Sequence, residues 1–377
     1  MSLRHIWAIT IKELRYIQRD RATLTLVVFT PTLLLFMMAY AVTADIKHVP
    51  VGALDLDRSQ TSRAFLQQMT IGDDLDLVVQ VSSMDQLEDY LLKERIHVAI
   101  VIAPGFEREL YSLHGMPMQV IVDGTEPQTG GYAVDQILRR AEVFITDLLS
   151  SQLTALGVDP DLLEPIDMSI RTWYNPNRKA NVDVIPGLLS MILGLPGMTV
   201  ALTLAREREH GTLEQLLVTP IKRTELLLGK MGPYMLSGLA NVLLTTVVAT
   251  AWFKVPFHGN FLLFLLLSAI FFLALLSMNM IVGVFIRTQA GAMALSFLVV
   301  FLPGLFLTGI FFPLVSMPSI VRMEALFLPG SHFAIITRGV FITGVGLEVL
   351  WPYALALLFF GLMFTGIAAL FFRKKLA

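Results

Sequence analysis

The chain has 377 residues, of which 55% are hydrophobic and only 15% are charged, and its formal net charge is −2. A soluble domain usually has about 25% charged residues, so this composition excludes a nucleic-acid binder, a disordered chain and an ordinary soluble enzyme. The sequence predicts an integral membrane protein with one polar insertion, because residues 45–181 hold 21 of the 30 acidic residues but only 11 of the 28 basic ones.

The first predicted element is an amphipathic helix within residues 1–21. Apolar residues such as Leu3, Trp7 and Leu14 recur at helical spacing, and basic residues lie between them. A helix with an apolar and a basic face is typical of segments that lie on the inner surface of a membrane. A solvated tail is the alternative interpretation.

Six uncharged runs are each long enough to cross a bilayer, which requires roughly 20 apolar residues. They are residues 22–44, 184–205, 231–253, 261–286, 288–321 and 349–372. The fifth run is too long for one span and contains prolines, so we predict a helix to about Leu314 and then an irregular or re-entrant piece. The runs contain no Asp, Glu, Lys or Arg, so their polar residues include Asn241, Asn279 and scattered Ser and Thr. Asn241 and Asn279 either line a translocation path or hold helices together.

The basic residues predict how these spans are oriented. If the N-terminus lies in the cytoplasm, 14 basic and six acidic residues fall on the cytoplasmic side, and cytoplasmic loops are enriched in Lys and Arg. We therefore expect both termini in the cytoplasm and residues 45–181 on the opposite side. Spans two to six form a bundle within residues 182–377.

The polar insertion, residues 45–181, is predicted to be a small α/β domain. Buried strands are expected at residues 49–55, 97–102 and 119–122, and helices at 59–69, 83–94 and 130–155. This alternation is typical of α/β folds. Asp57 or Ser59 is a natural N-cap for the first of these helices. The insertion has neither a catalytic constellation nor metal-ligand spacing, so it is interpreted as a binding or gating module.

The most informative segment is the predicted cytoplasmic loop 206–224. It contains a capping box from Thr212 to Gln215 that predicts a short helix, and Pro220 ends that helix. Leu213 and Leu216 share its apolar face. Such a helix between two spans can transmit movement from a soluble partner, whereas a solvated connector is the alternative. The chain has no phosphate-binding G-x-x-x-x-G-K-[ST] motif, so energy for transport would come from another polypeptide.

At this loop the sequence resembles ABC exporter permeases of the type-2 fold, in the branch with a large external domain between spans one and two. The most specific match is Glu-Arg-Glu-x-Gly-Thr-Leu-Glu-Gln-Leu at residues 207–216, followed by Thr219-Pro220. Further matches are Asp55-x-Asp57, Arg171-x-x-Tyr174-Asn175-Pro176 and the segment 309–313. The resemblance covers nearly the whole chain.

The resemblance implies residues that couple transport to an ATPase: Glu207, Arg208, Glu209, Gly211, Thr212, Leu213, Glu214, Gln215, Leu216 and Pro220. It also implies an outer gate at Gly309, Phe311, Phe312 and Pro313, with short outer helices within residues 315–347.

By the same resemblance the chain is a half-transporter in a bacterial inner membrane. It would pair with an identical or sibling permease, with cytosolic ATPase subunits that hold the ATP and Mg²⁺, and with membrane lipids; a periplasmic adaptor is a further candidate partner. The expected cargo is lipophilic or amphiphilic, and no cofactor, metal or catalytic residue is expected on this chain. A membrane-anchored sensor or scaffold is the alternative function.

Overall fold

The computed structural model describes residues 3–42, 47–112, 115–155, 173–175, 179–211 and 221–372, with the backbone alone at residues 22, 23, 26 and 28. The chain divides into two compact units. One comprises Met1–Ala44 and Arg171–Ala377, and the other comprises Asp45–Ile170.

The N-terminal segment is helical, as predicted. It consists of α1 (Leu3–Arg19), α2 (Arg21–Leu24), a π-helical turn (Thr25–Phe29) and α3 (Thr30–Val42). One face of α1 is buried and includes Ile9 and Ile17, whereas the Trp7 side chain is 64% exposed. Ile9 and Ile17 therefore pack against protein, whereas Leu3, which is 80% exposed, and Trp7 remain on the surface of the unit.

The unit Asp45–Ile170 is built on a four-stranded sheet in the order β2-β1-β3-β4. Its strands are β1 (Val49–Asp55), β2 (Leu75–Val81), β3 (Val98–Ile102) and β4 (Met118–Val122), and its helices are α4 (Gln60–Met69), α5 (Met84–Leu92), α6 (Phe106–Tyr111) and α7 (Pro127–Ala155). β1 pairs in parallel with β2 and β3, and β4 runs antiparallel to β3.

Helices cover both faces of this sheet. Phe65, Phe106 and Ile137, from α4, α6 and α7, share one buried cluster with the strands, and Leu87 of α5 lies in a second cluster with Leu54. The strands predicted from the sequence are present as β1, β3 and β4, whereas β2 was not predicted. These elements form a three-layer α/β arrangement.

The Asp55-x-Asp57 motif organises the loop after β1. The Asp55 carboxylate accepts hydrogen bonds from the backbone N–H groups of Asp57 (3.1 Å) and Arg58 (2.9 Å), while the Ser59 side chain caps α4. Asp57 instead accepts a hydrogen bond from the Gly105 N–H (2.7 Å), at the start of α6. The hydrogen bond from the Ser59 side chain, together with backbone N–H donors, lowers the pKa of Asp57. The motif is therefore structural here.

Replacing Asp57 by alanine should loosen α6. Loss of an N-capping carboxylate costs about 1 kcal/mol, so backbone amides at residues 105–111 should exchange hydrogen faster at pH 7. Because the folded pKa lies below the unfolded value, near 3.9, this stabilisation is present above that pH and is lost as the pH falls through the folded value. In calorimetry, the gap between wild-type and variant unfolding temperatures should shrink on acidification. If the amides of residues 105–111 exchange hydrogen at the same rate in wild type and in Asp57→Ala at pH 7, Asp57 does not stabilise α6.

The remaining helices belong to the other unit. They are α8 (Ala180–Ile192), α9 (Leu195–Glu209), α10 (Arg223–Val247), α11 (Phe261–Phe285), α12 (Gln289–Ser296), α13 (Leu302–Phe306), α14 (Ser319–Phe327), α15 (Pro329–Arg338) and α16 (Leu347–Phe371). Further π-helical turns occur at Val248–Trp252, Phe297–Phe301 and Gly339–Thr343.

By length and composition, five helical segments of the described residues can cross a membrane. They are Ala180–Glu209, Arg223–Trp252, Phe261–Phe285, Gln289–Phe306 and Leu347–Phe371. A sixth results if Ser319–Phe327 and Pro329–Thr343, bent by 81°, count as one span. The predicted first span, residues 22–44, contributes the shorter apolar helix α3, with α2 and a π-helical turn directly before it.

The predicted end of the fifth span was wrong. The helix ends at Phe306 rather than near Leu314, and the chain then turns through Gly309, whose φ is +77°. A left-handed φ cannot continue a right-handed α-helix, and glycine adopts it without a steric penalty. The short helices α14 and α15 lie within residues 315–347, as expected.

Helices α9 and α11 approach each other closely because both carry glycines. A Cβ atom on Gly283 would lie 3.0 Å from the Cα and the carbonyl oxygen of Ala201. A Cβ atom on Gly197 would lie 2.9 Å from Leu275 and Asn279 side-chain atoms. Only glycine permits this separation, so the first half of α9 lies in close contact with α11.

Candidate functional site

The candidate site surrounds the loop between α9 and α10. Residues 212–220 lie outside the described residues, and with them the predicted coupling positions Thr212, Leu213, Glu214, Gln215, Leu216 and Pro220. The structure describes both ends of the loop. Gly211, at φ +67°, ends α9, as glycine commonly does one residue past a helix.

A buried cluster of charges lies where these two helix ends meet α1. The Lys230 ammonium is 3.1 Å from Glu13 Oε1 and 2.7 Å from Glu207 Oε2. The side chains of Lys230 and Glu13 are only 1% and 5% exposed, and that of Glu207 is 12% exposed. Buried charges are tolerated when they are paired, so this triad joins α1, α9 and α10 through one lysine.

Further polar side chains extend the cluster to a cleft of about 490 Å³. Lys12 Nζ lies 3.2 Å from Glu207 Oε1, and Arg206 pairs with Asp20 at 3.3 Å and donates a hydrogen bond to the Tyr16 hydroxyl. These contacts hold the end of α9 against the C-terminal half of α1 and Asp20.

The start of α10 is tied to α1 as well. Glu225 Oε2 accepts a hydrogen bond from the Lys222 N–H (3.2 Å) and lies 3.0 Å from His5 Nδ1. The Thr10 hydroxyl donates to the Gly229 carbonyl at 3.1 Å. Each turn of α1 therefore has a polar contact to α9 or α10 besides its apolar packing.

Arg208 and Glu209 contact α11 and α12 rather than α1 and α10. Arg208 Nη1 donates to the Val284 carbonyl (2.6 Å), at the end of α11. The Glu209 carboxylate accepts hydrogen bonds from the Gln289 N–H (2.8 Å) and from the Gln289 side chain, at the start of α12. Glu207, Arg208 and Glu209 thus connect the end of α9 to four other helices.

This network is suited to mechanical transmission. Among the described residues, no group of three His, Cys, Asp or Glu side chains could hold a metal ion. The charges of the network neutralise one another and fix the ends of the helices. A displacement of the loop between α9 and α10 therefore acts on α1, α11 and α12 together. We call residues Lys230, Glu13, Glu207, Arg208 and Glu209, with their contacts, the helix-end junction.

The two predicted path residues are engaged in helix contacts. Asn241 is buried and donates a hydrogen bond to the Val27 carbonyl at 2.6 Å, which joins α10 to the first π-helical turn. Asn279 is buried and donates to the Leu275 carbonyl of its own helix. The Asn241 contact favours the interpretation that this residue holds helices together, whereas the Asn279 contact lies within one helix and favours neither interpretation.

The predicted gate residues form the loop between α13 and α14. Phe311 packs against the core of the unit, and Phe312 is exposed. The Gly309 carbonyl accepts a hydrogen bond from Arg338 Nη1 (3.2 Å), and Pro313 precedes a short 3₁₀ turn. Arg322 donates to the Leu314 and Val315 carbonyls. Two arginines from the bent helix pair therefore hold this loop.

The sequence reasoning missed Lys230 and Glu13. Lys230 stands directly before an uncharged run and was counted only among the basic residues of the cytoplasmic side, but it lies inside α10. A usable signal was its helical spacing with Leu226, Leu227 and Tyr234, which are buried on the same face. Glu13 lies 217 residues away, which no local pattern reveals.

Comparison with known proteins identifies the family of this chain. A family model described as "ABC-2 family transporter protein" matches residues 21–370. The chain is 30% identical to "Probable multidrug ABC transporter permease YbhS" of Escherichia coli (strain K12), over 100% of this chain and 98% of that protein. It is 31% identical to "Inner membrane transport permease YhhJ" of the same strain, over 99% of this chain and 98% of that protein.

A third relative, "Probable multidrug ABC transporter permease YbhR" of E. coli (strain K12), is 24% identical over 98% of both chains. The resemblance to ABC permeases stated from the loop motif is thus confirmed at the level of the family. Since the family model covers most of the chain, from the second helix to the last, the chain belongs to the ABC-2 family of transporter proteins.

Proposed function

We propose that this chain is the membrane-spanning permease subunit of an ATP-driven exporter in a bacterial inner membrane. ATP is hydrolysed by cytosolic ATPase subunits on a separate polypeptide. Membership of the family supports a permease, and relatives are named as multidrug or inner membrane transport permeases. In this proposal the functional unit is a dimer of permeases, either identical or siblings.

The helix-end junction is the observation that carries the proposal. Lys230, Glu207 and Glu13 link three helices through buried charges, and Glu209 links a fourth. A loop mounted on such a junction cannot move without moving the helices, because breaking a buried ion pair is costly. Closure of an ATPase dimer against residues 212–220 would therefore reach the spans and α1.

The topology proposed from the basic residues completes this picture. Six spans leave both termini and the loop 206–224 in the cytoplasm, and the unit Asp45–Ile170 on the opposite side. The gate is assigned to Gly309, Phe311, Phe312 and Pro313, held by Arg338. Asn241 and Asn279 lie in spans that re-pack during transport, and a periplasmic adaptor and membrane lipids are the remaining proposed partners.

The proposed cargo is lipophilic or amphiphilic. The chain has 25 Phe and 18 Met residues, and flexible, polarisable methionine side chains suit surfaces that accept varied apolar ligands. The direction of transport is proposed to be export, in line with the multidrug names of the relatives.

The proposal is tested by co-expressing the permease with an ATPase subunit and measuring ATP hydrolysis and ATP-dependent efflux of a lipophilic fluorescent cation from vesicles. The double variant Glu209→Ala with Glu214→Ala should lower both rates on the order of tenfold, because hydrogen bonds to charged groups contribute about 1.5–3 kcal/mol.

The matched control is Glu88→Ala with Glu142→Ala, two exposed glutamates of the unit Asp45–Ile170, which should leave both rates unchanged. Unchanged assembly, hydrolysis and transport in the double variant Glu209→Ala with Glu214→Ala contradict the coupling assignment. Absence of ATP-dependent efflux with an assembled, hydrolysing complex contradicts the proposed cargo class.

A further inference from the structure

A second cleft, of about 730 Å³, lies between the start of α10 and the end of α16. Lys222, Arg223 and Thr224 line one wall, and Gly366, Ala369 and Leu370 line the other. The junction cleft has a different lining, formed by α1 and α9. This cleft is therefore separate from the helix-end junction.

The first wall is cationic and open to a ligand. Lys222 and Arg223 are exposed, and within the parts of the chain that the structure describes neither has a carboxylate oxygen within 4 Å. The nearest acid in sequence, Glu225, is buried and faces His5 and the backbone of Lys222. Two neighbouring cations therefore face the cleft without a counter-charge from the described residues.

The opposite wall is apolar and has room. Leu370 is 76% exposed, and a Cβ atom added to Gly366 would have no atom within 4 Å. A groove with a cationic rim and an apolar side matches an amphiphilic anion better than a small inorganic one, because phosphate ions gain nothing from the apolar wall.

The position of the cleft also favours an amphiphilic anion as its ligand. Arg223–Trp252 and Leu347–Phe371 are both long and apolar enough to cross a membrane, and the cleft lies where one begins and the other ends. The ends of spans lie at the depth of the lipid headgroups, where lysine and arginine side chains attract anionic lipids.

We propose that this cleft binds an anionic phospholipid. Its phosphate lies between Lys222 and Arg223, and an acyl chain lies along Gly366, Ala369 and Leu370. The inference rests on the membrane residence of the two helices and is independent of any ATPase, so the permease alone suffices to test it.

The test is native mass spectrometry of the purified permease titrated with phosphatidylglycerol, with phosphatidylethanolamine and inorganic phosphate as separate arms. The wild-type protein should retain phosphatidylglycerol in preference to phosphatidylethanolamine. Inorganic phosphate should not displace the bound phosphatidylglycerol. Lys222→Gln with Arg223→Gln should weaken binding about 25-fold, since each cation near an anionic headgroup contributes roughly fivefold. Gly366→Leu, which fills the groove without altering charge, should also weaken binding.

The charge-matched control is Arg15→Gln with Arg19→Gln, two exposed arginines of α1 that do not line this cleft. It should leave phosphatidylglycerol binding within twofold of wild type. Equal losses in both double variants mean general attraction to the basic surface and overturn the site. Normal binding in Gly366→Leu, or competition by inorganic phosphate at equal affinity, overturns the apolar wall and leaves a simple anion site instead.

Discussion

Lys230→Met is expected to lower the apparent unfolding temperature of the detergent-purified permease by about 10 °C. The substitution keeps most of the side-chain volume but leaves the Glu13 and Glu207 carboxylates buried beside an apolar group. Removing one partner of a buried ion pair costs roughly 3–5 kcal/mol, and each kcal/mol shifts the midpoint of a domain of this size by about 2–4 °C. Thermal unfolding followed by intrinsic tryptophan fluorescence measures the change.

Two further variants separate the buried triad from its surroundings. Lys12→Met removes a lysine that is 56% exposed and also contacts Glu207, and an exposed pair contributes about 0–1 kcal/mol. Adding Glu13→Gln and Glu207→Gln to Lys230→Met removes the unpaired charges and should restore part of the loss. If Lys230→Met and Lys12→Met unfold at the same temperature, Lys230 does not hold the junction.

The second large effect is expected for Gly283→Leu. Its side chain would meet the backbone of Ala201, which cannot move aside as a flexible side chain can, so α9 and α11 must separate. Overpacking of this kind costs typically 1–3 kcal/mol. Because Val284 is the next residue, separation also strains its hydrogen bond with Arg208. Both the unfolding temperature and the permease-stimulated ATPase rate should fall.

Gly366→Leu is the matched control for this packing argument. It places the same new side chain on a membrane helix at a position where a Cβ meets no atom within 4 Å. Glycine in a helix interior is less favourable than alanine by about 1 kcal/mol. Replacing Gly366 by leucine should therefore leave the unfolding temperature unchanged or raise it. A Gly283→Leu protein as stable as the control contradicts the close approach of α9 and α11.

Elements with strong local patterns were predictable from the sequence. The N-terminal helix, the strands β1, β3 and β4 and the capping of α4 by Ser59 follow from periodicity and side-chain capping. The strand β2 was missed although Leu75, Leu77 and Val79 alternate with outward residues, since acidic residues surround it. The early end of the helix at Phe306 depends on the left-handed conformation of Gly309, which its sequence context does not specify.

The candidate site was predictable only in part. The loop motif identified Glu207, Arg208 and Glu209, but their partners come from helices distant in the chain. A hydropathy window treats Lys230 as the border of an apolar run, because burial of a lysine depends on two carboxylates that only the tertiary fold supplies. Pairing of buried charges is a property of packing and not of local sequence.

The π-helical turns bear on how relatives of this chain can differ in length. Each α-helical residue advances about 100° around the axis, and a π turn holds one residue more than an α turn. Thr25–Phe29, between α2 and α3, and Phe297–Phe301, between α12 and α13, therefore act as rotational offsets between the two halves of an otherwise continuous helix. A one-residue insertion or deletion can be absorbed at such a turn while the faces on either side keep their neighbours, so chain length can drift there without changing the packing.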